Sequence, residues 1–186
     1  IIRFGRKPVS KVLCGLLDKY NSVTTMVSPF GRFNDDCTDI ITAGIHDFCE
    51  SILQCNRDGA YSADWLSELQ KYEKIINSIL QTRMSDDQLD FDGKIPESII
   101  LKLPDNTKLT IGNSKPIRDF DAFTGRIKEN LRIFVNRGAS GIDGLVSTAL
   151  GTAADDPTGK HLLYLGDLSF YHDMNGLLLA SRYSIN

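Results

Sequence analysis

Residues 134–146 read FVNRGASGIDGLV: an apolar stretch suited to a strand, a bare turn holding Gly138, Gly141 and Gly144, and then apolar residues again. The same grammar recurs at 109–120, LTIGNSKPIRDF, and at 163–176, LYLGDLSFYHDMNG. Strand, small or polar turn, and helix, repeated over short connections, predict an α/β fold in which parallel sheets carry helices on both faces. In an open parallel sheet such turns share the carboxyl edge of the strands, where ligands bind. The three turns are therefore expected to surround one pocket.

The neighbouring segments extend the pattern. KLTI (108–111), LRIFVN (131–136) and HLLYLGD (161–167) read as strands; IDGLVSTALGTA (142–153) and SFYHDMNGLLLASRY (169–183) read as helices. PESIILKL (96–103) predicts a short helix with proline in its first turn, and IRDFDAF (117–123) a helical turn. Upstream, IIRF (1–4) is a strand closed by Gly5, and PVSKVLCGLLDKY (8–20) places Val9, Val12, Leu13, Leu16 and Leu17 at helical spacing. SVTTMV (22–27) suits a strand with a loop over 28–36, and DIITAGIHDFCESIL (39–53) a strand and then a helix with Ile45, Phe48, Cys49 and Ile52 on one face. The clearest helix is SADWLSELQKYEKIINSIL (62–80), capped by Ser62 or Asp64. MSDDQLDFDGK (84–94) is acidic and lacks periodicity, so a domain boundary is expected near residue 90, with domains at 1–90 and 91–186.

Composition narrows the classes of function. The chain has 186 residues, 41% hydrophobic and 24% charged, which is ordinary for a globular protein and long enough for one full domain or two small ones. A net charge of -3 gives no general attraction to nucleic acid or anionic lipid. Cys14, Cys37, Cys49 and Cys55 lack C-x-x-C spacing, which argues against zinc and predicts buried free thiols in a reduced, cytoplasmic setting. No apolar run approaches the ~20 residues of a transmembrane segment. The opening IIRFG reads as a core strand without an initiator Met, so the sequence is expected to be a piece of a longer protein.

Chemistry is concentrated in the three turns. Glycines in NRGASGIDG (136–144) let backbone N–H groups approach an anion at the start of the following helix, although a tight turn alone would also require them. Arg137 adds a planar cation suited to a carboxylate. Asp167, after Gly166 at a strand end and before Leu168 and Ser169, can hold Mg²⁺ beside phosphate oxygens or serve as a helix N-cap. His172 is expected to be a packed or capping group, and His46 and His161 to be structural.

GDLSFYHDMNG resembles the Gly-Asp motif of thiamine-diphosphate enzymes. Together with GNSKPIRD and NRGASGIDGLVSTALG, and more weakly RFGRKPVSK, it is similar to the 2-succinyl-5-enolpyruvyl-6-hydroxy-3-cyclohexene-1-carboxylate (SEPHCHC) synthase family of menaquinone biosynthesis. The resemblance implies a thiamine-diphosphate-binding fold over 91–186, its first half, preceded at 1–90 by the later part of a Rossmann-like central domain. It implies a transferase that uses thiamine diphosphate with Mg²⁺ or Mn²⁺. The reaction it implies is decarboxylation of 2-oxoglutarate by the thiazolium ylide, then conjugate addition of the succinyl carbanion equivalent to isochorismate.

By the same resemblance Ser114, Arg118, Arg137 and Lys11 are substrate-binding. Ser140, Gly141, Ile142, Gly166, Leu168 and Ser169 contact the cofactor, and Asp167 holds the metal. For each a plainer role stays open: Ser114 as a cap, Arg118 and Lys11 as solvated cations, Ile142 as helix core. Asp143 is expected to cap the helix it begins. The resemblance further implies that the activating glutamate of the superfamily is to be expected in an N-terminal domain outside this sequence. Neither Asn175 nor Asn186 stands at the spacing of the second metal ligand. Partners are the two small acids and, because family active sites lie between subunits, a further copy in at least a dimer. Two alternatives remain: an acetolactate-synthase-like carboligase or decarboxylase, and a non-catalytic domain binding a phosphate-bearing ligand.

Overall fold

The structure is a computed structural model and describes residues 1–5, 7–30, 37–55, 63–86, 88–125 and 127–185. Ser62, Asn186 and most of the 28–36 loop lie outside the described residues. Two compact units emerge, Ile1–Arg83 and Met84–Asn186, each with its own three-stranded parallel sheet.

In the first unit β1 (Ile2–Phe4) pairs with β2 (Thr25–Ser28), and β2 with β3 (Asp39–Thr42). Gly5 ends β1 at φ +74, a conformation that glycine adopts without steric cost. Helix α1 (Lys11–Lys19) follows; Ser10 caps it by accepting from the Leu13 N–H at 3.3 Å, which satisfies one of the free amides of the first turn. Among the described residues Met26, Val27 and Leu17 are the buried hydrophobic side chains of this unit. Helix α2 (Ile45–Cys55) meets the sheet through Phe48, whose ring stands edge-on to Phe4 at 5.8 Å; Ile45 and Ile52, expected on the same face, stay exposed. The long helix α3 (Ala63–Met84) carries an apolar stripe from Trp65 to Ile79 that is exposed along its length.

The cysteines do not form the buried set expected of them. Cys49 and Cys55 are exposed on α2, and Cys14 and Cys37 are partly buried, with the Cys14 thiol donating to the Pro8 carbonyl at 3.2 Å.

In the second unit β4 (Lys108–Ile111) is the central strand, flanked by β5 (Arg132–Val135) and β6 (His161–Tyr164), all parallel. Every residue of β4 is buried, as a strand covered on both faces requires. Leu109 and Ile111 point to one face and pack with Ile100 of α4 (Lys94–Lys102) and Phe120 of α5 (Lys115–Phe123). The alternate residue Lys108 points the other way and donates to the Thr152 carbonyl at 2.9 Å near the end of α6 (Leu145–Ala154). Lys108 also pairs with Asp155 at 3.2 Å, placing a cation where the helix carbonyls are free.

Several element limits differ from expectation for local reasons. Helix α4 begins at Lys94, so Pro96 falls inside the first turn, where a missing N–H leaves no bond unmade. Residues 117–123 extend back to Lys115 and form a full helix with Pro116 in its first turn. The segment 169–183 is not one helix. It divides into α7 (Asp167–Asp173), a 3₁₀ turn (Met174–Leu177) and α8 (Leu178–Tyr183). Two contacts hold that break. The Asp173 carboxylate accepts from the Ser147 N–H at 2.7 Å and from the Ser147 hydroxyl at 2.9 Å, and buried Gly176 sits so near α6 that a Cβ would lie 2.8 Å from Ser147 Oγ.

Candidate functional site

Because β4, β5 and β6 are parallel, the turns that follow them share one edge of the sheet, and the strand order β5-β4-β6 reverses direction at β4. A crevice outside the strand ends at such a reversal is where open α/β sheets bind ligands. Here the β4 and β6 ends are drawn tightly together. The Gly112 N–H donates to the Tyr164 carbonyl at 2.7 Å, and a Cβ on Gly112 would lie 2.9 Å from Leu165 Cβ and 3.1 Å from Leu165 Cα. Only a residue without a side chain permits this approach.

Asn113 connects the same strand end to the glycine-rich turn. It is buried; its Nδ2 donates to the Gly141 carbonyl at 2.8 Å, and its Oδ1 accepts from Arg137 Nη1 at 3.4 Å. Ser114 follows at φ +70, ψ -123, a strained backbone region for a residue with a Cβ, and is the N-cap of α5 without a side-chain capping bond. Its hydroxyl is thus not engaged by the helix, contrary to the plainer role open to it in the sequence.

These three turns enclose a cavity of about 670 Å³, within the range of small-molecule sites. The β4 turn contributes Ser114 and, one helical turn on, Arg118; the β5 turn contributes Arg137, Ser140, Gly141 and Ile142; the β6 turn contributes Gly166, Asp167, Leu168 and Ser169. All the candidates of the second unit therefore meet in one wall. Lys11 is the exposed first residue of α1, in the first unit.

Several capping assignments are corrected by the geometry. Ile142 precedes α6 and is 41% exposed on the cavity side of the chain, so it is not helix core. Asp143 does not cap α6: the N-cap is Gly144 at φ +70, and Asp173 supplies the side-chain oxygens for the first turn. Gly166 is the N-cap of α7, and Asp167 is its first helical residue, with Oδ1 accepting from the Leu168 N–H at 2.8 Å. His172 is exposed and rests edge-on against Tyr171 rather than packing or capping.

Charge in the cavity follows from the pairing. Among the described residues neither Arg118 nor Arg137 is in a salt bridge, so two cations of the wall are left for an anionic ligand. Lys115, also in the wall, pairs with buried Asp119 and, at 3.2 Å, with exposed Asp92. The Asp119 hydrogen bond, opposed by partial desolvation and aided by Asp92, holds the Lys115 ammonium above its ordinary pKa of 10.5. Burial is the main reason that the Tyr164 phenol is raised above 10.0, with the Asp119 charge adding to it. Both groups therefore keep their protons at neutral pH.

The sequence reading missed Asn113, Lys115, Asp92 and Tyr164. Asn113 and Lys115 stand inside the quoted GNSKPIRD, and the i, i+4 spacing of Lys115 to Asp119 was the available signal. Nothing in the sequence links Asp92 to that motif.

The donor set fits a magnesium diphosphate. Among the described residues no cluster of three or more His, Cys, Asp or Glu side chains is present, so there is no all-protein metal cage. Magnesium, however, commonly takes one or two carboxylates and completes its shell with phosphate oxygens and water. Asp167 lines the cavity, and its second oxygen accepts no hydrogen bond among the described residues. At Gly166 an added Cβ would meet no atom within 4 Å, so the backbone is bare where a phosphate would approach.

No family model matches the chain. Curated relatives match it along its whole length. It is 40% identical over 190 residues to a 2-succinyl-5-enolpyruvyl-6-hydroxy-3-cyclohexene-1-carboxylate synthase of Listeria monocytogenes, covering 100% of this chain and 32% of that protein. Proteins of the same name from Bacillus cytotoxicus, 36% over 192 residues, and Desulfitobacterium hafniense, 35% over 191, cover 100% of this chain and have 32% and 33% of their own lengths matched. The chain thus spans about a third of the length of the curated relatives it matches. No helix among the described residues is long and apolar enough to cross a membrane.

Proposed function

We propose that this chain, a homologue of SEPHCHC synthases along its whole length, forms the metal- and diphosphate-binding wall of such an enzyme together with part of its central domain. The activity is that of a longer protein: decarboxylation of 2-oxoglutarate and addition of the succinyl unit to isochorismate, in menaquinone biosynthesis. The observation that carries this reading is the meeting of the three motif-bearing turns in one cavity, with Arg118 and Arg137 in no salt bridge among the described residues and Asp167 in the same wall.

When bound, thiamine diphosphate supplies the electron sink for losing carbon dioxide from a 2-oxo acid. This chain's residues bind and orient. Asp167 would hold Mg²⁺ or Mn²⁺ while Gly166, Leu168 and Ser169 face the diphosphate; Ser140, Gly141 and Ile142 would support the rest of the cofactor. Arg118 and Arg137 offer guanidinium forks to substrate carboxylates, and Ser114, its hydroxyl free of capping, offers one hydrogen bond. Lys11 is a further candidate cation for an acidic substrate. On this reading residues 1–90 belong to a Rossmann-like domain and 91–186 to a thiamine-diphosphate fold, and the enzyme works in the cytoplasm as at least a dimer.

The test is conversion of isochorismate and 2-oxoglutarate by the full-length protein. Turnover that is Mg²⁺-dependent and lost in Arg118→Ala and Arg137→Ala supports the assignment. Turnover of pyruvate alone, insensitive to both substitutions, would favour an acetolactate-synthase-like carboligase. Binding of the cofactor without turnover of either acid would favour a non-catalytic domain.

A further inference from the structure

Lys115 lies in the cavity wall beside Ser114 and shares its helix face with Arg118, three residues on. Its two carboxylate partners differ. Asp119 has a side chain only 9% exposed, so removing its cation would leave a buried charge uncompensated. Asp92 is 64% exposed, lies 3.2 Å from Lys115 Nζ and also lines the cavity. An exposed pair of this kind contributes little to stability, so one carboxylate can replace another on the same ammonium at little cost.

We propose that Lys115 is a third cationic anchor of the cavity and that Asp92 is the stand-in a ligand carboxylate displaces, so that the site favours a two-carboxylate acid over a one-carboxylate acid. Asp119 holds the ammonium in position throughout, and its three N–H donors allow both carboxylates to be engaged together. The proposal rests on the reading above for its ligand class.

The two ends of the Asp92–Lys115 pair should respond with opposite sign. In calorimetric titrations of the full-length protein with 2-oxoglutarate, Asp92→Asn removes the competing charge and should tighten binding about threefold, whereas Lys115→Met should weaken it about threefold or more. Pyruvate, with one carboxylate, should bind both variants as it binds the parent protein. Lys115→Arg, which keeps the charge, should retain the preference for the two-carboxylate acid and guards against a folding defect in Lys115→Met. Weakening in both variants, or change in neither, would mean a merely structural ion pair and would overturn the proposal. Magnesium-dependent thiamine diphosphate binding measured on the same samples separates the failures: if it persists, only the role of Lys115 falls, and if it is absent, the cofactor reading falls with it.

Discussion

Asn113 donates its side-chain amide to the Gly141 carbonyl across 2.8 Å, joining the end of the central strand to the glycine-rich turn after its neighbour. The same side chain accepts from Arg137 Nη1, so one buried amide sets both the course of residues 136–144 and the reach of a cavity cation. Replacing it with alanine leaves the Gly141 carbonyl unpaired. Asn113→Ala should lose about 1–2 kcal/mol of stability and raise amide exchange selectively across 136–144. Global loss without local exchange in that turn would count against the link.

Gly112 is required by contact rather than by conformation. A methyl group there must push against Leu165 Cβ and Cα, both fixed to the backbone of the β6 turn. Gly112→Ala should therefore cost about 1–3 kcal/mol in denaturant unfolding and displace the Gly166–Asp167 wall. An unchanged midpoint would show that the two strand ends can separate freely.

Ser114 offers the reverse test, because its φ of +70 is a strain that glycine would relieve. Ser114→Gly should raise the melting temperature while weakening binding of the acidic substrate, a split between stability and function expected of strain held at a site. A fall in both would mean that the serine side chain contributes to folding.

The pH dependence is set by two groups whose pKa values are both raised. For Lys115 the stabilising pair is fully present below 10.5 and is lost as pH rises through the higher folded value. For Tyr164 the unfolded phenol loses its proton near 10.0 while the half-buried phenol of the folded chain retains it, so stability again falls as pH climbs above that value. Melting temperature should show no titration from either group between about pH 6 and 9 and should decline above about 10. Lys115→Met should remove part of the alkaline decline; an inflection near neutrality abolished by this substitution would contradict the assignment.

Much of this architecture was legible because strand and helix periods are local. KLTI, LRIFVN and HLLYLGD carry their strands in β-branched and apolar residues, and the family resemblance of the turns after them named ten candidate positions that line one cavity. What the sequence concealed are the long-range polar contacts. Asp173 caps α6 from 26 positions away, so Asp143, adjacent in sequence, was the natural but wrong choice. The break of 169–183 into two helices has the same origin, since the need for Gly176 is imposed by Ser147 of another helix. Asp92 lines the site from far along the sequence, paired there with Lys115. The exposure of Ile45 and Ile52, despite good helical spacing, shows that a periodic face does not by itself name what covers it.

On the proposed reading, the cavity at the three strand ends is a magnesium diphosphate site in which Asp167 holds the metal. Calorimetric titration of thiamine diphosphate into the full-length protein, with and without Mg²⁺ and with Asp167→Asn beside the parent, tests it directly. Saturable binding that requires Mg²⁺ and weakens by about tenfold or more in Asp167→Asn is the predicted result. Binding that ignores Mg²⁺, or an Asp167→Asn protein that binds as tightly as the parent, would contradict it.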